Sequence, residues 1–165
     1  MLPIILTPEH TRIGLIGEGE GLERRRALLT AAGVTPLRLG PQQPLGGLSV
    51  LFVAGLNPTE AEAVARRARR AGVLVNVEDM PALCDFHVPA ILRRGELLFS
   101  VSTGGNAPGL ARRLREWLEQ TFGPEWEEWS SELGALRARW RGEGIPASEI
   151  AGRTRTVIEQ KGWLR

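Results

Sequence analysis

The chain has 165 residues, 42% of them hydrophobic and 24% charged, with a net charge of +2. That length allows one sizeable core, or a compact domain with a smaller appendage, and the balance is ordinary for a soluble globular protein. A single cysteine excludes an intrachain disulfide, no apolar run approaches the ~20 residues of a membrane span, and arginines spread among acids at so small a net charge argue against a nucleic-acid partner. The opening MLPIILTPEH lacks a basic segment and reaches Pro8 too soon for a signal peptide, so a cytoplasmic location away from membranes is expected. Lys161 is the only lysine, and the other twenty of the 21 basic residues are arginines. Their forked guanidinium groups suit anionic ligands, although coding from a GC-rich genome gives the same bias.

In chain order, the apolar run Ile13–Ile16 leads into GEGEG and then LERRRALLTAAG, which predicts strand, glycine turn and helix. VTPLRLG predicts a second strand, irregular or at an edge because of Pro36. LSVLFVAG is nearly all apolar, as a strand buried on both faces must be. A helix capped at Asn57 and ending on Gly72 follows, then a fourth strand, VLVNV. Such alternation predicts an α/β protein with a parallel sheet and helices on its faces.

After ELLFSVST, read as one more strand, and the amphipathic helix APGLARRLREWLEQTF, the chain reads as helix only, and all five tryptophans lie at or beyond Trp117. Phe122, Trp126, Trp129, Leu133, Leu136 and Trp140 form a heptad-like seam on a helix that starts at Pro124. A seam of this kind serves equally as the core of a helical subdomain or as a dimer surface.

The stretch GLIGEGEG supplies Gly17 and Gly19 as the first two glycines of a dinucleotide-binding turn. The third small position falls on Leu22, and near the place where an acid often holds the ribose the chain reads Leu37, Arg38, Leu39. Glu18 and Glu20 put negative charge where a phosphate would sit, so a Rossmann-like turn without nucleotide is the competing reading. STGGNAP, ahead of a helix start, is a second anion candidate, with plain capping by Ser102, Thr103 or Asn106 as its alternative. Asp79 follows the fourth strand, at the carboxyl edge where open parallel sheets bind ligands, with a capping role as its alternative. His87, between Phe86 and Val88, is read as a buried hydrogen-bonded histidine, and its spacing from Cys84 does not make a metal site.

Taken in order, MLPIIL, the G-x-G turn and VNVEDMPALCDFHVPAILRRGELLFSVSTGGNAPGLARRLRE resemble the precorrin-2 dehydrogenase/sirohydrochlorin ferrochelatase family of sirohaem synthesis. The resemblance covers about residues 1–122 and is densest from Asn76 to Glu116. It implies a Rossmann-like NAD-binding domain over residues 1–77, a dimerisation and tetrapyrrole-site segment over 78–122, and a helical C-terminal region over 123–165. It further implies NAD-dependent oxidation of precorrin-2 to sirohydrochlorin, followed in some members by insertion of ferrous iron, within a homodimer. The family's catalytic aspartate falls on Asp79 and its hydroxyl position on Thr103, beside Ser102. Gly17, Gly19, Glu20, Gly21 and Asn57 would then bind the nucleotide. Ser102, Thr103, Gly104, Gly105, Asn106 and His87 would contact the tetrapyrrole, whose eight carboxylates suit arginines and helix-start amides.

Three departures touch the nucleotide side: Leu22, the connection shortened to GPQQPLGG, and AGLN at the end of the third strand. They predict weak nucleotide binding, with NAD preferred over NADP because alternation sets Arg38 inside a strand with no clear line to a 2′-phosphate. A chelatase without nucleotide and a non-catalytic tetrapyrrole or nucleotide sensor are the rival readings.

Overall fold

The computed structural model describes residues 2–164 and divides into two compact units, Met1–Val88 and Pro89–Arg165. In the first, strands β1 (Ile13–Gly17), β2 (Leu37–Leu39), β3 (Val50–Ala54) and β4 (Leu74–Val77) form a parallel sheet in the order β2-β1-β3-β4. Helix α1 (Gly19–Ala31) crosses from β1 to β2, and α2 (Pro58–Arg70) from β3 to β4. Parallel neighbours need such crossovers, because a tight turn cannot bring the chain back in the same direction.

Period-two alternation sends the strand residues to two cores. Ile13, Leu15, Val50 and Phe52 pack with Leu22 and Leu29 of α1. Ile16, Leu51, Val53, Val75 and Val77 pack with Ala61, Val64, Ala65 and Ala68 of α2. Every residue of β3 is buried, which is why LSVLFVAG shows no polar alternation. The short GPQQPLGG connection has no helix of its own, yet it buries Leu45 and Leu48 in the α2-side core. Arg67 of α2 holds it in place, donating to the Pro41 carbonyl and, at 2.6 Å, to the Gln43 carbonyl.

The edge strand β4 is closed off by the chain that follows it. The Asp85 amide donates to the Val75 carbonyl at 2.8 Å, and the Val75 amide donates to the Asp85 carboxylate at 3.0 Å. The Cys84 sulfur meets both the amide and the carbonyl of Val77 at 3.2 Å, and the Asn76 side chain donates to the Phe86 carbonyl at 2.9 Å. An open strand edge leaves its backbone groups unpaired, and satisfying them here draws residues 78–88 into the first unit. The compact unit therefore extends beyond the domain end expected at residue 77.

The second unit opens with an antiparallel hairpin, β5 (Ala90–Arg94) and β6 (Leu97–Val101). The sequence reading found β6 and passed over β5, whose AILRR is short and ends in two charged residues. The turn between them is the two residues Gly95 and Glu96, with Gly95 at φ 56°, a backbone sign that tight hairpins require. Helices α3 (Pro108–Thr121), α4 (Glu125–Gly142) and α5 (Ala147–Lys161) complete the unit. The helical tail is broken where Gly144 and Pro146 end one helix and open the next.

Within this unit the aromatic seam packs inward. Phe122 lies 4.4 Å from Phe99 and 5.1 Å from Trp126, Trp126 lies 5.1 Å from Trp129, and Trp129 stacks on Trp163 at 5.0 Å. Trp140 is buried. The apolar stripe left open is on α3 instead, where Leu110, Leu114 and Trp117 are 54%, 40% and 55% exposed at helical spacing. Among the described residues no helix is long and apolar enough to cross a membrane.

Candidate functional site

The glycine turn between β1 and α1 is built by close backbone approach. Gly17 has φ 137°, and a β-carbon there would lie 1.6 Å from the Ala54 carbonyl oxygen at the end of β3. The Glu18 amide donates to that same oxygen at 3.1 Å. Gly19, at φ 65°, has nothing within 4 Å of where its β-carbon would be, so the turn faces open space. No side chain caps α1, whereas Asn57 caps α2. The first-turn amides of α1 thus lack the partner that a capped helix has, which is the arrangement that binds phosphate. An open cavity of about 770 Å³ lies against them, lined by Glu18, Gly19, Glu20, Leu22, Glu23, Arg24 and Arg38, a volume suited to a nucleotide-sized ligand.

Two of the expected nucleotide contacts have other occupations. Asn57 accepts from the Glu60 amide at 3.0 Å and donates to the Glu60 carboxylate at 2.8 Å, a reciprocal cap that uses its side chain at both ends. Gly21 is buried, and a β-carbon there would lie 2.1 Å from the Glu78 carboxylate. The close-packed small residue is therefore Gly21, one position before Leu22, and Leu22 is free to join the core.

Glu78 is the residue that the sequence reading missed. Its side chain is 14% exposed and lies 3.5 Å from Arg24 and 3.8 Å from Arg25. Arg25 also sits over the Phe52 ring, 5.9 Å from its centroid. A carboxylate this covered needs opposite charge nearby, and two arginines one turn into α1 supply it. The only signal in the sequence was an acid directly before Asp79 paired with an arginine run in α1.

Asp79 comes next, at the carboxyl end of β4. It is exposed, and it is the only non-glycine with positive φ among the described residues, at 58°. Left-handed backbone costs a side-chain-bearing residue about 1–2 kcal/mol, and residues held this way cluster at functional sites. The short 3-10 turn that follows takes no side-chain cap, so the capping alternative for Asp79 is not used. His87 is exposed, contrary to the expectation of a buried histidine, because its neighbour Phe86 takes the inward place, edge-on to Phe52 at 5.4 Å. Cys84 is spent on the edge of β4.

The Ser102–Asn106 turn belongs to the second unit. Ser102 Oγ accepts from the Gly104 amide at 3.2 Å, and Thr103 Oγ1 accepts from the Ala107 amide at 3.2 Å. Gly104 and Gly105 have φ 66° and 86°, which brings the chain round ahead of α3. No side chain caps α3; Pro108 has no amide proton and the Leu110 amide donates to the Ala107 carbonyl at 3.1 Å, which leaves the Gly109 amide of its first turn open. Each hydroxyl keeps its own proton to donate. Among the described residues no group of three or more His, Cys, Asp or Glu is placed to hold a metal ion.

The chain is 34% identical to the siroheme synthase of Methylococcus capsulatus over 168 residues, covering 88% of this chain and 35% of the relative. It is 34% identical to that of Methylobacillus flagellatus over 181 residues, covering 95% of this chain and 38% of the relative. The chain thus spans little more than a third of the length of these relatives. It shares its fold with the solved structure of SirC, precorrin-2 dehydrogenase, at a TM-score of 0.71 and 18% identity, over 96% of this chain and 89% of that one. Residues 4–90, more than half of the chain, match the family described as putative NAD(P)-binding, and the chain belongs to that family.

Proposed function

We propose that the chain catalyses the NAD-dependent dehydrogenation of precorrin-2 to sirohydrochlorin, a step of sirohaem biosynthesis, in the cytoplasm. The observation that carries this reading is Asp79: an exposed carboxylate held in left-handed backbone at the carboxyl end of β4, directly after the residue that braces α1. Its support is the siroheme synthase relatives.

The nucleotide fits the glycine turn, where the uncapped amides of α1 face the cavity and Gly17, Gly19 and Gly21 keep β-carbons out of the way. NAD supplies a hydride acceptor. Asp79 accepts the proton that leaves the macrocycle as the hydride departs. The Ser102 and Thr103 hydroxyls and the Gly109 amide at the start of α3 donate to substrate carboxylates. His87, exposed in the first unit, is a further donor to them. The same Asp79 carboxylate would take pyrrole N–H protons if ferrous iron enters as a second substrate.

Purified chain mixed with precorrin-2 and NAD should form NADH together with sirohydrochlorin, both followed by absorbance. No turnover with either nucleotide, while tetrapyrrole binding persists, would replace the dehydrogenase reading by the chelatase or sensor reading. Sirohydrochlorin and ferrous iron supplied together then separate those two, by metal insertion or its absence.

The active species in this proposal is a homodimer. The exposed Leu110, Leu114 and Trp117 stripe supports it, because contiguous apolar surface on a small protein usually marks an interface. Light scattering at micromolar concentration should report twice the chain mass of 18.1 kDa. A monomer there overturns the assembly, and Leu114→Glu should shift the wild-type dimer towards monomer.

A further inference from the structure

We infer that the ribose end of the glycine-turn cavity accepts a 2′-phosphate, so that the protein takes NADP as well as NAD, with Arg38 as the residue that admits it. The inference rests on the nucleotide site proposed above and extends it to cofactor selectivity.

In dinucleotide folds the residue about 20 positions after the glycine turn, at the end of the second strand, reads the ribose. An acid there binds the 2′-hydroxyl, and an arginine accommodates a 2′-phosphate. Here the position is Arg38, in β2 opposite Leu15. The sequence expectation set Arg38 out of reach inside its strand. The register instead turns it to the side of the glycine turn, where its Nη2 donates to the Gly17 carbonyl at 2.6 Å and its side chain lines the cavity. One N–H is used in that bond, and the remaining donors of the fork are free for an anion.

Arg24 lines the same cavity. Its ion pairs to Glu20 and Glu78 are loose, at 3.8 and 3.5 Å, so it is a second cation available to a phosphate. The acids of the lining oppose an anion less than their number suggests. Glu23 accepts from Arg26 at 2.8 Å, and Glu20 is 97% exposed and free to turn into water. What repulsion remains from Glu18 and Glu20, at the phosphate turn, acts on the pyrophosphate of NAD and NADP alike. Selectivity is therefore decided where the two nucleotides differ, and there β2 carries the Arg38 guanidinium in place of the acid that would bind a 2′-hydroxyl.

Calorimetric titration of the intact chain with NAD and NADP tests this, on wild type and on Arg38→Ala. Wild type should bind NADP at least as tightly as NAD. The variant should lose about ten- to a hundredfold in NADP affinity, the range of a hydrogen-bonded charge, and less than about threefold in NAD affinity. Circular dichroism confirms that the exposed edge position tolerates the change. Tight NAD binding with NADP tenfold weaker overturns the inference and leaves the proposed function standing. Equal losses for both nucleotides in the variant also overturn it, since they would make Arg38 a brace for the turn through Gly17. Binding of neither nucleotide by wild type removes the inference and the dehydrogenase reading together.

Discussion

Asp79→Asn should lower precorrin-2 dehydrogenation by about 10²–10⁴-fold, the usual contribution of a positioned base, with the fold left intact. Asparagine is the fair replacement because it tolerates left-handed backbone as aspartate does, and position 79 sits at φ 58°. The side chain is exposed, so the exchange of oxygen for amide nitrogen leaves no buried group unpaired. What is lost is the ability to accept a proton. NADH formation measures the activity, and a thermal melt measures the fold. Turnover close to wild type with an unchanged melt would remove Asp79 from the chemistry. Asp79→Ala is a poorer test, since it adds backbone strain of about 1–2 kcal/mol to the loss of the carboxylate.

Gly17→Ala should destabilise the first unit by about 4 kcal/mol or more, in the range reserved for severe steric conflict. The new β-carbon would meet the Ala54 carbonyl oxygen at 1.6 Å, with the Ala54 carbonyl carbon at 2.7 Å and its amide nitrogen at 3.0 Å. Those atoms are backbone of a central strand, buried at every residue, and cannot rotate aside as a side chain would. The backbone at φ 137° adds to the strain. Gly19→Ala is the contrasting variant. Its β-carbon meets nothing within 4 Å, so it should cost only about 1–2 kcal/mol of left-handed strain, while projecting into the space proposed for the pyrophosphate. Chemical denaturation compares the two, and equal stability losses would contradict the distinction between a glycine needed by the sheet and one needed by the ligand.

The sequence by itself determined the α/β character, the four strands of the first unit and the cap at Asn57. These depend on local pattern: fully apolar runs for strands covered on both faces, and a polar residue followed by proline where a helix begins. The family resemblance pointed to Asp79 and Thr103. Only the tertiary structure decided the rest, because each remaining feature needs a partner distant along the chain. Residues 78–88 join the first unit because β4 has an open edge to satisfy. Gly21 must be small because Glu78 rests on it, and Arg38 faces the glycine turn because β2 pairs in register with β1. The aromatic seam is the clearest instance. A heptad-spaced stripe reads the same whether its partner is another segment or another copy, and the stacking of Trp129 on Trp163 gives it a partner within its own unit.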